Sequence, residues 1–414
     1  MRNLASRAAA LRLVTVGAGV LAAGAAMSVP AFAATSPTPS AVAIPPAAVA
    51  IPPAARGVTT AATAASSASS ATFNIFNPPS QTGAPSGSQE GLTGVYAASP
   101  TDVWAVGGAF NDPFEHWNGT SWTGQGLPAG LCTTAEGALE GNQCGVSFIT
   151  GTSADDIIAD GTGIIDTGTS DVEESVAFHF NGTSWSQVTI PAGVTLGPLA
   201  AFSATDLWSV NNNGDAEHFN GSTWTRTKLP ISTTLPDLDM TSISGSSPSD
   251  IWAAGRAFTE GVERQKIAPV LEHFNGTSWT NVTVPVNGGV SDVAAISPTD
   301  AFALDGGSLI QWNGSTWSVV TATTQTGAAV SGAALAALSP TDVWLAGVTT
   351  LDNFNGTTWT SVPVPSTAAL TPAGQMLAEP DAAAAAGPGT VWFVGEAITA
   401  TGSTLPYAMG TSNG

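Results

Sequence analysis

The chain has 414 residues, 9 basic against 30 acidic, a net charge of −21 and only two cysteines. So negative a protein argues against nucleic acid and anionic membranes as partners, because phosphate contacts need basic groups to displace counterions. Beyond the N-terminus no segment offers the ~20 uninterrupted apolar residues of a membrane span, so no membrane insertion is expected.

In chain order, Arg2, Arg7 and Arg12 make a basic start, an apolar stretch follows over 13–27, and Ala31-Phe32-Ala33 is a small-residue cleavage box. Residues 1–33 therefore read as a secretory signal peptide, and the mature protein is expected outside the cytoplasm, free or held at a cell wall. Removing its three arginines leaves 6 basic and 30 acidic residues, a net −24. Residues 34–71 are rich in Ala, Pro, Ser and Thr, and the heptapeptide at 41–47 is duplicated at 48–54. With no acidic or aromatic residue this segment can bury little, and it reads as a semi-extended linker.

From Leu92 onward the chain repeats itself. The phrase Asn118-Gly-Thr-Ser-Trp122 recurs in copies ending at Trp185, Trp224, Trp279, Trp317 and Trp359. Upstream of each lies a relative of Ser99-Pro-Thr-Asp-Val-Trp104, so the period is roughly 35–50 residues and marks a repeat architecture. The first repeat parses into four short strands: 92–98, 103–106 after the Pro-containing turn, 114–117, and 121–127 after Asn118-Gly119. Asn-Gly between apolar runs is a strong hairpin signal, since a tight turn there needs positive φ. Four antiparallel strands with Gly and Trp at fixed positions predict one blade of a β-propeller.

The turn phrase ends at Asp102, Asp156, Asp206, Asp250, Asp300 and Asp342, with a degenerate seventh copy at 387–390. The seventh repeat lacks its outer strand. In five blades that strand runs from Trp to a Pro six residues on, and Phe73 to Pro79 repeats the spacing with Phe for Trp. Residues 72–79 are therefore predicted to complete the last blade and close an all-β, seven-bladed ring over 72–414, a form that leaves no open sheet edge and is expected as a monomer. On these motifs the chain resembles secreted bacterial propellers of the kelch and galactose-oxidase central-domain kind. It departs from kelch in that only Gly107-Gly108 gives the double glycine; elsewhere a single Gly stands there, as at Gly255, Gly347 and Gly395. The resemblance implies the fold and no particular partner.

The repeat accounts for most chemically interesting side chains. All 13 tryptophans fall at repeat positions, as inter-blade packing demands, leaving no surplus Trp for stacking on sugar. His116, His179, His218 and His273 each precede a hairpin Asn by two residues, so they are spread around the ring, with a structural hydrogen bond as their expected role. Galactose-oxidase copper chemistry needs clustered Tyr and His, which this spacing does not provide. No Gly-x-Ser-x-Gly, Walker or His-Glu-x-x-His motif is present.

Spacing also marks a functional face. Both intra-blade turns lie at one end of each blade, and their phrases keep fixed lengths. From turn Asp to hairpin Asn the counts are 16, 25, 14, 25, 13 and 13, so blades two and four carry insertions at the opposite end. Variable loops on a rigid scaffold are where binding concentrates. The long link between blades one and two holds Cys132 and Cys144, expected as one local disulfide. Residues 160–176 (Asp160, Asp166, Asp171, Glu173, Glu174) form an acidic insertion in which calcium is conceivable, though the spacing fits no cation loop and no cofactor is predicted. Residues 255–269 bring Arg256, Arg264 and Lys266 beside Glu260 and Glu263, the candidate ligand-binding set; with Arg226 and Lys228, five of the six mature cations fall here. Salt bridging to the neighbouring carboxylates is the alternative.

The expectation is a secreted, non-catalytic binding protein that takes a glycan or protein ligand on its loop face. The alternatives are an extracellular polysaccharide lyase or hydrolase with its site in the central funnel, and a structural or adhesive surface module.

Overall fold

The computed structural model describes residues 72–76, 78, 91–107, 113–127, 133–134, 137–138, 144–166, 171–259, 266–305, 308–320, 334–347, 350–364, 377–398 and 404–412. The leader and the linker lie outside the described residues. Seven four-stranded antiparallel sheets follow one another over 92–125, 144–188, 199–228, 237–281, 292–319, 334–363 and 377–412, the last completed by Thr72–Phe76. Innermost strands of successive blades pack side by side, and that of blade seven packs on that of blade one. The chain is thus a closed seven-bladed β-propeller.

Closure works as the Phe73 spacing predicts. Thr72–Phe76 pairs antiparallel with the last strand, Thr404–Ser412, in the register Thr72↔Ser412 to Phe76↔Ala408. Phe73 fills the place of the outer-strand Trp and meets Trp344 of blade six edge-on at 5.2 Å. The same clasp recurs elsewhere with two tryptophans, one from a second strand and one from the outer strand of the next blade: Trp104 with Trp185 at 5.5 Å, Trp208 with Trp279 at 5.8 Å, Trp252 with Trp317 at 5.1 Å, and Trp392 with Trp122 at 5.5 Å. Such edge-to-face pairs add about 0.5–1.5 kcal/mol beyond burial.

Two joints lack such a ring pair among the described residues: blades five and six meet through Phe302, Trp359 and other apolar side chains, and blades two and three are sparser still. At the position of Trp104 blade two has Ile158, and Trp224 across from it in blade three is only half-buried. Among the described residues the apolar cluster there reduces to Ile158, Leu199 and Leu207, three buried side chains where every other joint has eight or more.

The four histidines make the structural bond the repeat predicts. His116, His179, His218 and His273 each place Nε2 2.7–2.9 Å from Oδ1 of the turn Asp of their own blade. In blades one, three and four the ring also stacks on the second-strand Trp at 4.1–4.2 Å. Blade six keeps the bond with Asn353, whose Nδ2 donates to Asp342 at 3.0 Å.

Two local details differ from the sequence reading. The Asn-Gly hairpins are four-residue loops, since Trp117 already pairs with Trp122. Asn118 Oδ1 accepts the Thr120 and Ser121 N–H groups at 3.0 Å, and Gly119 carries the positive φ of 88°. Asn is thus selected as a side-chain cap, and Gly for backbone freedom. The single Gly after the second strand faces a bulge in the innermost strand: a Cβ on Gly161 would lie 1.8 Å from the Gly145 carbonyl oxygen. That steric need explains one glycine without a kelch pair.

Candidate functional site

The two ends of the propeller differ in kind. The turn end is built from repeated caps of fixed length. At the other end the insertions do not form free loops: in blade two they extend the hairpin to Asp156–Asp166 and Asp171–Phe180, and in blade four to Asp250–Phe258 and Ile267–Phe274. Blade seven has an equally long pair, Thr390–Ile398 and Thr404–Ser412. Antiparallel pairing satisfies the backbone groups of an insertion that a loop would leave to water. The loop face therefore has three raised ribs, on blades two, four and seven, with concavities between them.

The first concavity is the central channel, about 340 Å³, lined by the innermost strands of all seven blades. Its lining is small and polar at blades four and five (Thr241, Ser242, Ser244, Ser291) and alanine-rich at blades six and seven, with two carboxylates, Asp292 and Asp381. Asp292 ties three blades together: it accepts Ser242 Oγ from blade four at 2.8 Å, its neighbour's Val293 N–H at 2.8 Å, and the Leu335 N–H of blade six at 3.3 Å. Burial pushes its carboxyl up to about 6, opposed by these hydrogen bonds. Asp381 lines the channel beside the Glu396 and Glu379 carboxylates. Burial, then the Glu396 and Glu379 carboxylates, push it up to about 7.

The second concavity, about 390 Å³, lies between blades two and three. One wall is the blade-two hairpin, with Thr162, Glu173, Glu174 and Ser175; the other is the 190–196 link to blade three. That link is held in place: Leu196 N–H donates to Ser175 Oγ at 2.8 Å, Val194 N–H to the Pro191 carbonyl at 3.1 Å, and the Arg226 guanidinium to the Gly193 carbonyl.

Of the basic residues singled out in the sequence, Arg226, Lys228 and Arg256 are paired with carboxylates. Arg226 binds Glu217 at 2.5 Å and Asp215 at 3.6 Å, and Lys228 binds Asp215 at 3.1 Å. Arg256 binds Asp239 at 2.9 Å and lies over the Phe258 ring. Lys266 is exposed. Glu260, Glu263 and Arg264 lie outside the described residues. Of the acidic insertion, Asp160 sits within the blade at 1% exposure, and burial drives its carboxyl well above the usual range. Asp166 and Asp171 pair across the hairpin. Among the described residues no group of three His, Cys, Asp or Glu side chains is placed to hold a metal ion. Cys144 is disulfide-bonded, and Cys132 is the only other cysteine in the chain.

A second carboxylate set escaped the sequence reading. Glu115, Glu217, Glu272 and Asp352 occupy one repeat position, next to the His (Asn353 in blade six), and all are 2% exposed or less. Four of the third strands thus carry a buried carboxylate, and burial pushes Glu272 up to about 7. Recurrence of an acid before the His was the available signal.

No protein-family model matches the chain, and no curated protein matches it. Solved structures do. A structure described as YCF48 bound to D1 peptide is 13% identical, with a TM-score of 0.54, covering 83% of this chain and 97% of its own. YCF48 from Cyanidioschyzon merolae is 12% identical at TM-score 0.55, covering 81% and 98%. The WD40 β-propeller domain of Doa1 is 10% identical at TM-score 0.50, covering 83% and 98%. At such identities the likeness is one of fold.

Proposed function

We propose that this propeller is a non-catalytic binding module that holds a protein or peptide ligand on its loop face, outside the cytoplasm. The observation that carries the reading is that the second concavity and all three ribs share one end of the ring, while the other end is capped by fixed turns. The similar propeller YCF48 has been seen with a peptide bound, which suits the same use of the fold. A protein ligand is favoured over a glycan because neither concavity is lined by Trp or Tyr, the usual platforms for sugar rings. A non-catalytic role is favoured because Asp292 spends both oxygens on joining blades.

Panning a random heptapeptide display library on the full chain tests this, with amide hydrogen exchange used to map each selected peptide. The expected result is protection of segments 159–163, 173–176 and 190–199 and of the first halves of the innermost strands. Protection confined to the turn end would overturn the assignment.

A further inference from the structure

We propose that the groove between blades two and three receives a basic side chain, Arg or Lys, flanked by apolar residues of a peptide ligand. This rests on the loop-face reading above and names the chemistry that the face selects. At about 390 Å³ the groove lies within the usual ~300–1,000 Å³ of ligand sites. Its walls are of opposite character. Ile190, Pro191, Ala192 and Val194 offer apolar surface along one side, and the blade-two strand that carries Glu173 on its groove face lines the other. An arginine or lysine has the matching construction, an apolar stem that can lie along the first wall and a charged head that meets the second.

Charge accounting within the structure points the same way. The groove lining contains no cation. Arg226, which reaches the rear of the groove at Gly193, is held by Glu217 and Asp215. Lys228 and Arg256 are likewise held, by Asp215 and Asp239. Glu173, on the same strand face as Ser175, therefore presents its charge to the groove, with Glu174 behind it on the other face of the strand and no neighbouring cation among the described residues to neutralise it. The anchored 190–196 link keeps the far wall in position before any ligand arrives, which lowers the ordering cost of binding. The groove lies at the joint with the smallest apolar cluster among the described residues.

Bulk attraction to an acidic protein must be separated from recognition by the groove. Peptides from the display selection are therefore measured by fluorescence polarisation on the wild-type chain and on two variants. One is E173Q/E174Q; the other, D155N/D300N, makes the same charge change at the turn end. The expected result is enrichment of Arg or Lys beside apolar residues. Affinity should fall at least tenfold in E173Q/E174Q, stay within twofold in D155N/D300N, and fall likewise when citrulline replaces the arginine. Equal losses in the two variants would show bulk charge only and overturn the inference. Selected peptides that protect the loop face but lack basic residues, or that bind E173Q/E174Q as well as wild type, would overturn it while leaving the loop-face reading intact. Failure to recover any loop-face peptide would remove both.

Discussion

Replacing Glu272 by Gln should make the protein less sensitive to alkaline pH. Glu272 is fully buried in the third strand of blade four; Oε1 accepts Asn281 Nδ2 at 2.7 Å, and Oε2 has no hydrogen-bond partner. Burial raises its carboxyl from 4.5 to about 7, against the lowering effect of the Asn281 bond. A group whose pKa rises on folding contributes its full stability below the unfolded value, here 4.5, and loses it as pH rises through the folded value. Moving a carboxyl from 4.5 to about 7 is worth about 3 kcal/mol by linkage. Wild type should thus lose about 3 kcal/mol from this group between pH 4 and pH 8.5, and E272Q should not. The glutamine keeps the Asn281 bond but buries an unmatched donor, a penalty of about 1–3 kcal/mol that does not vary with pH. Other titrating groups are common to both proteins and cancel. Differential scanning calorimetry across this range should show the gap in Tm between the two changing by roughly 5 °C in favour of E272Q at high pH. Parallel Tm curves would refute the claim that Glu272 is forced to ionise inside the blade.

Three further outcomes follow from packing and backbone geometry. Phe73→Ala removes a 7%-exposed ring from the closing clasp and should cost about 3–5 kcal/mol, read as a lower urea midpoint and faster exchange of the 404–412 amides. Trp185→Ala should cost a similar amount, whereas Trp224→Ala, half-buried at the sparsely packed joint of blades two and three, should cost roughly half as much; equal losses in urea titrations would refute the asymmetry. His273→Asn, copying blade six, should retain more stability than His273→Leu by about 1–2 kcal/mol, because only Asn can restore a bond to the buried Asp250.

The fold was legible because its information is local and repeated. Pro-Thr-Asp and Asn-Gly set the two turns of every blade, and the distance from Phe73 to Pro79 disclosed the closing strand before any pairing was seen. The lengths of the ribs were legible too, but not their form: 160–176 and 255–269 read as loops because their Gly, Thr and charged residues hide the two-residue alternation of paired strands. The channel carboxylates escaped notice for another reason. Asp292 and Asp381 sit in innermost strands whose sequences diverge from blade to blade, and their importance comes from convergence at the axis, a relation across the whole ring. The clasp missing between blades two and three, by contrast, was written in the sequence as Ile158 where blade one has Trp104.

The closing strand also fixes how the ring bears force. Thr72 and Ser412 face each other at the same end of their pair, so tension applied between the two ends of the propeller pulls neighbouring backbones directly apart. Inter-strand hydrogen bonds lie along that direction and are loaded one after another, as in a zip. A load on an N-terminal tether would release five residues, Thr72–Phe76, with Phe73 leaving its place against Trp344, while blades one to six keep their own four strands. Mechanically the molecule is a ring with a built-in latch, and the latch is the part that yields.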